Sequence, residues 1–327
     1  MKNSIRPEDG CGTGIKSGTG IGEIKMAKTT QIKSHVKNGS RAFDVFCILF
    51  CGAICLVTLY PMYYVFIMSV SAPEAVNSMS VFLFPKGFQL DSYVILFKDS
   101  QMWRAYGNTI IYTVASTLLI LITSVLGAYP LTVSGLRGRK FFVTFLLIPM
   151  YFGGGLIPSF LLINKLGLYA TRWAIILPSA FNIWNMILVR TFFSGLPEEL
   201  RESARMDGAG HLRILFQIFL PISKAVLAVV SIYSIVGMWN SWFNAQVYLP
   251  SADLQPLQMY LKRVLVQMSV DLSKLNSTEI EDAVEKMFSA TQLKYSMIIF
   301  TTLPIIFTYP FFQKYFIKGV MVGSLKG

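Results

Sequence analysis

The chain has 327 residues, 54% hydrophobic and only 14% charged, with a mean hydropathy of +0.54 and a net charge of +12. That is too little charge to solvate a water-soluble surface and points to a membrane protein. Its four cysteines and two histidines support neither an extracytoplasmic disulfide framework nor a histidine-rich metal site.

Residues 1–41 are polar and basic and read as a flexible cytoplasmic tail. Their glycine run, GCGTGIKSGTGIG, does not make a phosphate loop: Lys16 follows Ile15, no GxxxxGK[ST] register exists and no strand pattern precedes it. Met26 is a plausible alternative start, which would make residues 1–25 an extension.

Six uncharged runs follow: Val45 to Ile67, Tyr106 to Gly135, Phe141 to Asn164, Trp173 to Val189, Ala225 to Ala252 and Tyr295 to Gln313. Each reaches the roughly 17 to 20 residues needed to cross a bilayer. The expected fold is therefore all-α and polytopic, with six transmembrane helices over 42–327. The first run has no cleavage signal. On it Cys47, Cys51 and Cys55 recur every four residues and share a face. Small packing residues explain them better than a metal stripe, because no histidine or carboxylate joins them.

Residues 71–104 form an outer segment and Gly135 to Lys140 a tight basic inner turn. The third run contains FGGGLIPSF, whose glycines and Pro158 predict a broken or closely packed helix; a channel filter is the less favoured alternative. The fourth is interrupted by Pro178, Asn182 and Asn185, and a re-entrant or buried segment is its alternative. A second outer segment, 251–294, carries an amphipathic helix in PLQMYLKRVLVQM and an acidic patch at Glu279, Glu281, Asp282 and Glu285.

With both termini cytoplasmic, 19 of the 29 Lys and Arg residues lie inside, leaving a net charge of +11 inside and +1 outside. This is the positive-inside pattern, although long loops weigh less than short ones. The basic excess thus reports topology and contact with anionic membrane lipid, and no nucleic acid is needed to explain it.

Between the fourth and fifth runs lies an inner loop, 194–221, containing RESARMDGAGHLRILFQIFLP. Pro197 suits a first helical turn and Glu198 and Glu199 the positive helix end. Leu196, Leu200 and Ala204 make an apolar face at spacing four, ringed by Arg201, Glu202 and Arg205. Asp207 is expected to cap a second helix, with Gly208 and Gly210 relaxing the junction. Such an element either anchors the loop to the membrane surface or plugs into a cytoplasmic partner. His211 has no catalytic helper in the pattern.

Glu202-Ser203-Ala204-x-x-Asp207-Gly208-Ala209, followed by Phe216, Ile218, Leu220 and Pro221, resembles the EAA loop of binding-protein-dependent ABC importer permeases. Leu196 to Leu200 match too, as do MWNSWFNAQVYL at 238–249 and the terminal KYFIKGVMVGSLKG. These are similar to the sugar and oligosaccharide branch related to the smaller maltose-importer permease, and within it to lipoprotein-linked oligosaccharide and pectin-fragment types. Similarity runs from about residue 42 to the end. Ser203, in place of the usual alanine, is a departure between two small residues.

The resemblance implies a type I ABC importer permease fold and no catalysis by this chain. It assigns ATPase coupling to Glu202, Ser203, Ala204, Asp207, Gly208 and Ala209, with the tail from Gly319 to Gly327 reaching between two ATPases. It implies as partners a second homologous permease, two cytoplasmic ATPase subunits that bind ATP and Mg, and an extracytoplasmic substrate-binding protein, all at the bacterial inner membrane. No cofactor is expected in this chain. An oligosaccharide path needs hydrogen-bonding and aromatic side chains, and Asn182, Asn185, Trp239, Asn240, Trp242 and Asn244 supply them; helix-joining asparagines and interfacial tryptophans are the plainer reading of each. Tyr112, Tyr151 and Tyr233 are weaker candidates. Two rivals stay open: the same machine carrying a peptide or lipid-linked solute, and a secondary transporter or channel. The latter is disfavoured because the runs contain no Lys, Arg, Asp or Glu.

Overall fold

A computed structural model describes residues 41–267 and 277–324. The readings on residues 1–40, including the start at Met26, and on the last three residues of the terminal motif lie outside the described residues. So do the side chains of the acidic patch and of the terminal motif beyond Tyr315.

Among the described residues every regular element is helical, and an isolated bridge between Ser71 and Phe88 is the only β feature. In chain order they are α1 (Arg41–Ser69), α2 (Pro73–Asn77), α3 (Asp91–Lys98), α4 (Ser100–Ala128), continued by a 3₁₀ turn (Pro130–Thr132), α5 (Arg139–Tyr151), α6 (Leu156–Lys165), α7 (Trp173–Ser179), α8 (Ile183–Ser194), α9 (Glu199–Met206) and α10 (His211–Ile214). A π turn (Leu215–Phe219) leads into α11 (Leu220–Ile222), followed by α12 (Lys224–Trp239), α13 (Phe243–Tyr248), a 3₁₀ turn (Ala252–Leu254), α14 (Leu257–Gln267) and α15 (Ser277–Ser324).

The chain divides into two units, Met1–Cys55 and Leu56–Gly327. In the first, the described residues are the opening turns of α1, where the Phe46 and Phe50 rings stack at 5.9 Å and Cys47 and Cys51 are free thiols. No group of three or more His, Cys, Asp or Glu able to hold a metal occurs among the described residues. The second unit holds all the other elements.

Among the described residues four helices are long and apolar enough to cross a membrane: Phe43–Ser69, Ser100–Thr132, Trp173–Ser194 and Thr291–Tyr315. Two bent pairs raise the count to as many as six: Arg139–Tyr151 with Leu156–Lys165, bent by 109°, and His211–Ile222 with Lys224–Trp239, bent by 80°. The chain is thus an all-α, polytopic membrane protein with four to six spans. The third run breaks at its glycines, as expected, with Gly155 at φ +82°. The fifth run holds two helices, α13 taking up part of the surplus length. α12 ends at Trp239, where the Asn240 backbone N makes a last helical bond to the Val236 carbonyl at 3.2 Å and its Nδ2 donates to the same carbonyl at 3.0 Å. Sixteen residues rise about 24 Å, short of a hydrocarbon core of about 30 Å.

The packing of α4 shows which solvent the fold was built for. It buries a polar stripe (Asn108, Thr109, Thr113, Ser116, Thr117 and Ser124) and exposes Ile110, Ile111, Val114, Leu118, Ile122 and Leu126. A soluble helix does the reverse; in lipid, apolar surface costs nothing outside and polar groups serve as interhelical contacts. α4 packs on α12 and α8, and α12 on α15.

At the start of α4, Asp99 divides the expected amphipathic stretch SYVILFKDSQMWRAY into α3 and α4. One of its carboxylate oxygens accepts from the Gln101 amide at 2.8 Å and caps α4; the other accepts from the Tyr260 hydroxyl on α14. The 251–257 segment is stitched to α4: Arg104 pairs with Asp253, Asn108 Nδ2 donates to the Asp253 carbonyl at 2.7 Å, Tyr112 Oη to the Leu254 carbonyl at 2.7 Å, and the Leu257 amide to Thr109 Oγ1 at 2.7 Å. The start of the 251–294 segment is therefore a fixed cap on α4. The predicted amphipathic helix is α14, with Leu257 and Tyr260 buried.

Candidate functional site, a clamped helix and an outer polar cluster

The loop expected to couple, 194–221, forms α9 first. Glu199 and Glu202 sit in its first turn and Arg205 in its last, all suited to the helix dipole. The helix closes by a Schellman motif. Gly208, at φ +76°, donates its amide to the Arg205 carbonyl at 2.9 Å, and Ala209 donates to the Ala204 carbonyl at 2.9 Å. Only a left-handed residue fits between those two bonds, which is the physical reason for glycine here. Asp207 is the C-terminal cap of α9 and does not cap the next helix as expected: α10 starts after Gly210 with no side-chain cap.

The larger correction concerns direction. Ala204 is 8% exposed and belongs to the chain's own core with Tyr129, Phe193, Ile214, Leu215 and Phe219, and Leu196 and Ala209 pack against that core. Of the apolar face expected to reach outward, Ala204 and Leu196 are turned toward the core and Leu200 is exposed. Arg201, expected in the charged ring around it, is 1% exposed. Its Nη1 donates to the Thr132 carbonyl at 3.1 Å and to Glu198 Oε1 at 3.1 Å, and its Nη2 contacts Thr132 Oγ1 at 3.2 Å. The guanidinium carbon lies 5.0 Å from the Phe219 ring centre and 5.6 Å from that of Tyr129. A buried cation is expensive unless paired and hydrogen-bonded, and here carboxylate, carbonyl, hydroxyl and two ring faces share it. Glu202, Ser203, Arg205, Asp207 and Gly208 are exposed, and Met206 is 89% exposed. Arg201 lies three residues before Ala204, so helical phase already put both on one face; its charge hid that signal.

The six candidate substrate-path residues separate into two groups. Asn182 caps α8, its Oδ1 accepting from the Asn185 amide at 3.0 Å. Asn185 is buried, and its Nδ2 contacts Ser234 Oγ at 3.3 Å, tying α8 to α12. Trp239 is buried too, with Nε1 donating to the Thr301 carbonyl at 3.0 Å and its ring edge-on to Tyr106. Asn185 and Trp239 hold helices together, while Asn182 fixes the start of its own helix. Asn240, Trp242 and Asn244 are exposed. Asn240 Oδ1 accepts from Gln258 at 3.4 Å, while Lys262 Nζ sits 4.1 Å from the Trp242 ring centre and donates to Gln246 Oε1 at 2.6 Å. The structure thus adds Gln246, Gln258 and Lys262, none of which sequence reasoning selected. Tyr112 is buried, and Tyr151 and Tyr233 are exposed.

Residues 39–322 match the family of binding-protein-dependent transport system inner membrane components. The chain belongs to this family. It is 38% identical over 293 residues to protein LplC of Bacillus subtilis strain 168, covering 90% of this chain and 98% of that protein. It is 33% identical to the polygalacturonan/rhamnogalacturonan transport system permease protein YtcP of the same organism, covering 88% and 99%. Among solved structures it superposes with a TM-score of 0.76 on a chain of a bacterial ABC transporter involved in the import of the acidic polysaccharide alginate, at 35% identity over 84% of this chain and 97% of that one. The chain is therefore a multi-pass membrane permease subunit of an ABC importer. In this permease the clamped α9 and the cluster around Trp242 both present polar side chains on an ordered frame.

Proposed function

We propose that this permease is one of two homologous membrane subunits of an ATP-driven oligosaccharide importer, with six spans in the type I arrangement. Both termini face the cytoplasm and residues 42–327 form the membrane domain. Two cytoplasmic ATPase subunits bind ATP and Mg and supply the hydrolysis, and an extracytoplasmic binding protein delivers the sugar; this chain does no catalysis. The names of its relatives, which handle polygalacturonan, rhamnogalacturonan and alginate, support a saccharide substrate, and the charge asymmetry supports the orientation.

The observation that carries the coupling role is α9 itself, an eight-residue helix closed by Gly208 and fastened by Arg201, with Glu202, Ser203, Arg205 and Met206 turned away from the core. A rigid element presenting an apolar tip among charges suits a groove on an ATPase. Ala204 and Ala209 serve the joint from inside, by allowing α9 to lie close to the core. On this reading nucleotide-driven closure of the ATPases moves α9, and the membrane helices exchange inward for outward access. The sugar passes the outer cluster of Asn240, Trp242 and Asn244, with Asn182, Asn185 and Trp239 shaping the path as its frame.

The coupling role is tested by Met206→Asp, a charge at the exposed tip. Normal membrane insertion with loss of ATPase subunits from the purified complex is the expected result; full retention of both, with normal uptake, overturns it. The substrate class is tested by uptake of labelled oligogalacturonides and neutral oligosaccharides against peptides in the assembled system, and uptake of peptide alone removes the sugar reading.

A further inference from the structure

Arg201 is the only contact of α9 that reaches across to the inner end of α4 through named hydrogen bonds among the described residues, and its form is unusual for an anchor. An aliphatic side chain would fill the same space without the cost of burying a charge. The guanidinium instead binds two acceptors of one residue, Thr132, through two nitrogens at 3.1 and 3.2 Å, while Glu198 on its own turn holds it at 3.1 Å. A fork held at two points resists sliding and rotation, which apolar contact does not. The aromatic walls come from two further elements: Tyr129 immediately after α4, and Phe219 from the π turn that leads to the 80° bend before α12. One side chain therefore joins α9, the end of the most polar-packed helix and the hinge segment of the next.

We propose that Arg201 is the positioning residue that transmits displacement of α9 to α4 and α12, so that its loss uncouples ATP hydrolysis from transport. The inference rests on the reading of α9 as the ATPase-facing element. Its buried Nε has no hydrogen-bond partner, and neither do the nearby buried Tyr129 hydroxyl and Ser223 Oγ, the latter at the bend itself. Unsatisfied buried polar groups are costly where they stand, and a joint that alternates between two packings supplies them with partners in the other one.

The test uses the whole complex, with partner permease, ATPases and binding protein, reconstituted in liposomes. Substrate taken up per ATP hydrolysed is measured for wild type, Arg201→Met, Arg201→Lys and Thr132→Val. The expected result is a fall of about tenfold for Arg201→Met, the size of a typical coupling factor, and a smaller fall for Arg201→Lys, which keeps the charge but not the fork. Thr132→Val, which removes one acceptor and keeps the fold, is expected to fall about threefold. It decides the matter if Arg201→Met does not assemble. An unchanged ratio in every variant that assembles overturns the proposal. Met206 replaced by a photo-cross-linking amino acid separates the two readings. Cross-linking to an ATPase subunit with an unchanged ratio rejects Arg201 alone, whereas cross-linking only to other partners rejects the coupling role of α9 and this inference with it.

Discussion

The amide of Ala209 donates to the carbonyl of Ala204 at 2.9 Å, a bond that reaches back five positions and encloses Gly208 in a left-handed conformation. A Cβ added at Gly208 meets nothing within 4 Å, so any cost of substitution there is a backbone cost.

Gly208→Ala should accordingly lower stability by about 1 kcal/mol, Gly208→Val by more, and Gly208→Asn by less, since asparagine enters the left-handed region most easily. Thermal unfolding of the detergent-purified complex measures the order. Equal midpoints for the alanine and asparagine variants would mean that conformation is not what selects glycine.

Two tryptophans three residues apart should behave in opposite ways. Trp239 is buried and hydrogen-bonded to α15, so Trp239→Ala should cost about 3–5 kcal/mol and reduce the amount of folded permease. Trp242 is 42% exposed, so Trp242→Ala should leave expression and assembly near normal and reduce uptake by about tenfold, in line with loss of 1 to 1.5 kcal/mol of stacking. Quantifying membrane-inserted complex alongside uptake separates the two, and normal uptake by Trp242→Ala moves the sugar path elsewhere.

Tyr260 links α14 to the cap of α4, and burial, together with its hydrogen bond to the Asp99 carboxylate and that carboxylate's charge, pushes its hydroxyl above the ordinary tyrosine value of 10.0. A raised acid pKa means that the folded protein holds the proton longer than the unfolded chain. The contribution is therefore complete below pH 10 and is lost as pH climbs from there towards the raised value. Tyr260→Phe should cost about 1 kcal/mol at pH 7 and flatten this part of the alkaline loss. Melting temperatures of both proteins at pH 7, 9 and 10.5 test it; parallel curves above pH 10 would exclude Tyr260 as the source.

Much of this fold was legible in order along the chain. Uncharged runs located the spans, the Gly153 to Gly155 break announced the bent third one, and the loop from Leu196 to Pro221 declared its family. Legibility failed at Asp207, a good N-cap residue that stands at a C-cap, because Gly208 closes α9 one residue later. That is a local competition between two permitted hydrogen-bonding patterns, and composition does not rank them.

The sequence by itself determined that this is a polytopic membrane protein with a charged loop between apolar runs, because apolar length and charge placement are properties of the chain alone, and the motif in that loop identified its family. Only the tertiary structure decided that Ala204 faces the core, that Arg201 is the buried clamp and Met206 the exposed tip, and that Asn185 and Trp239 bind helices while Asn240 and Trp242 remain open. Periodicity reports the phase of a helix against itself, whereas burial depends on what lies opposite. For Arg201 that is Thr132, 69 residues away.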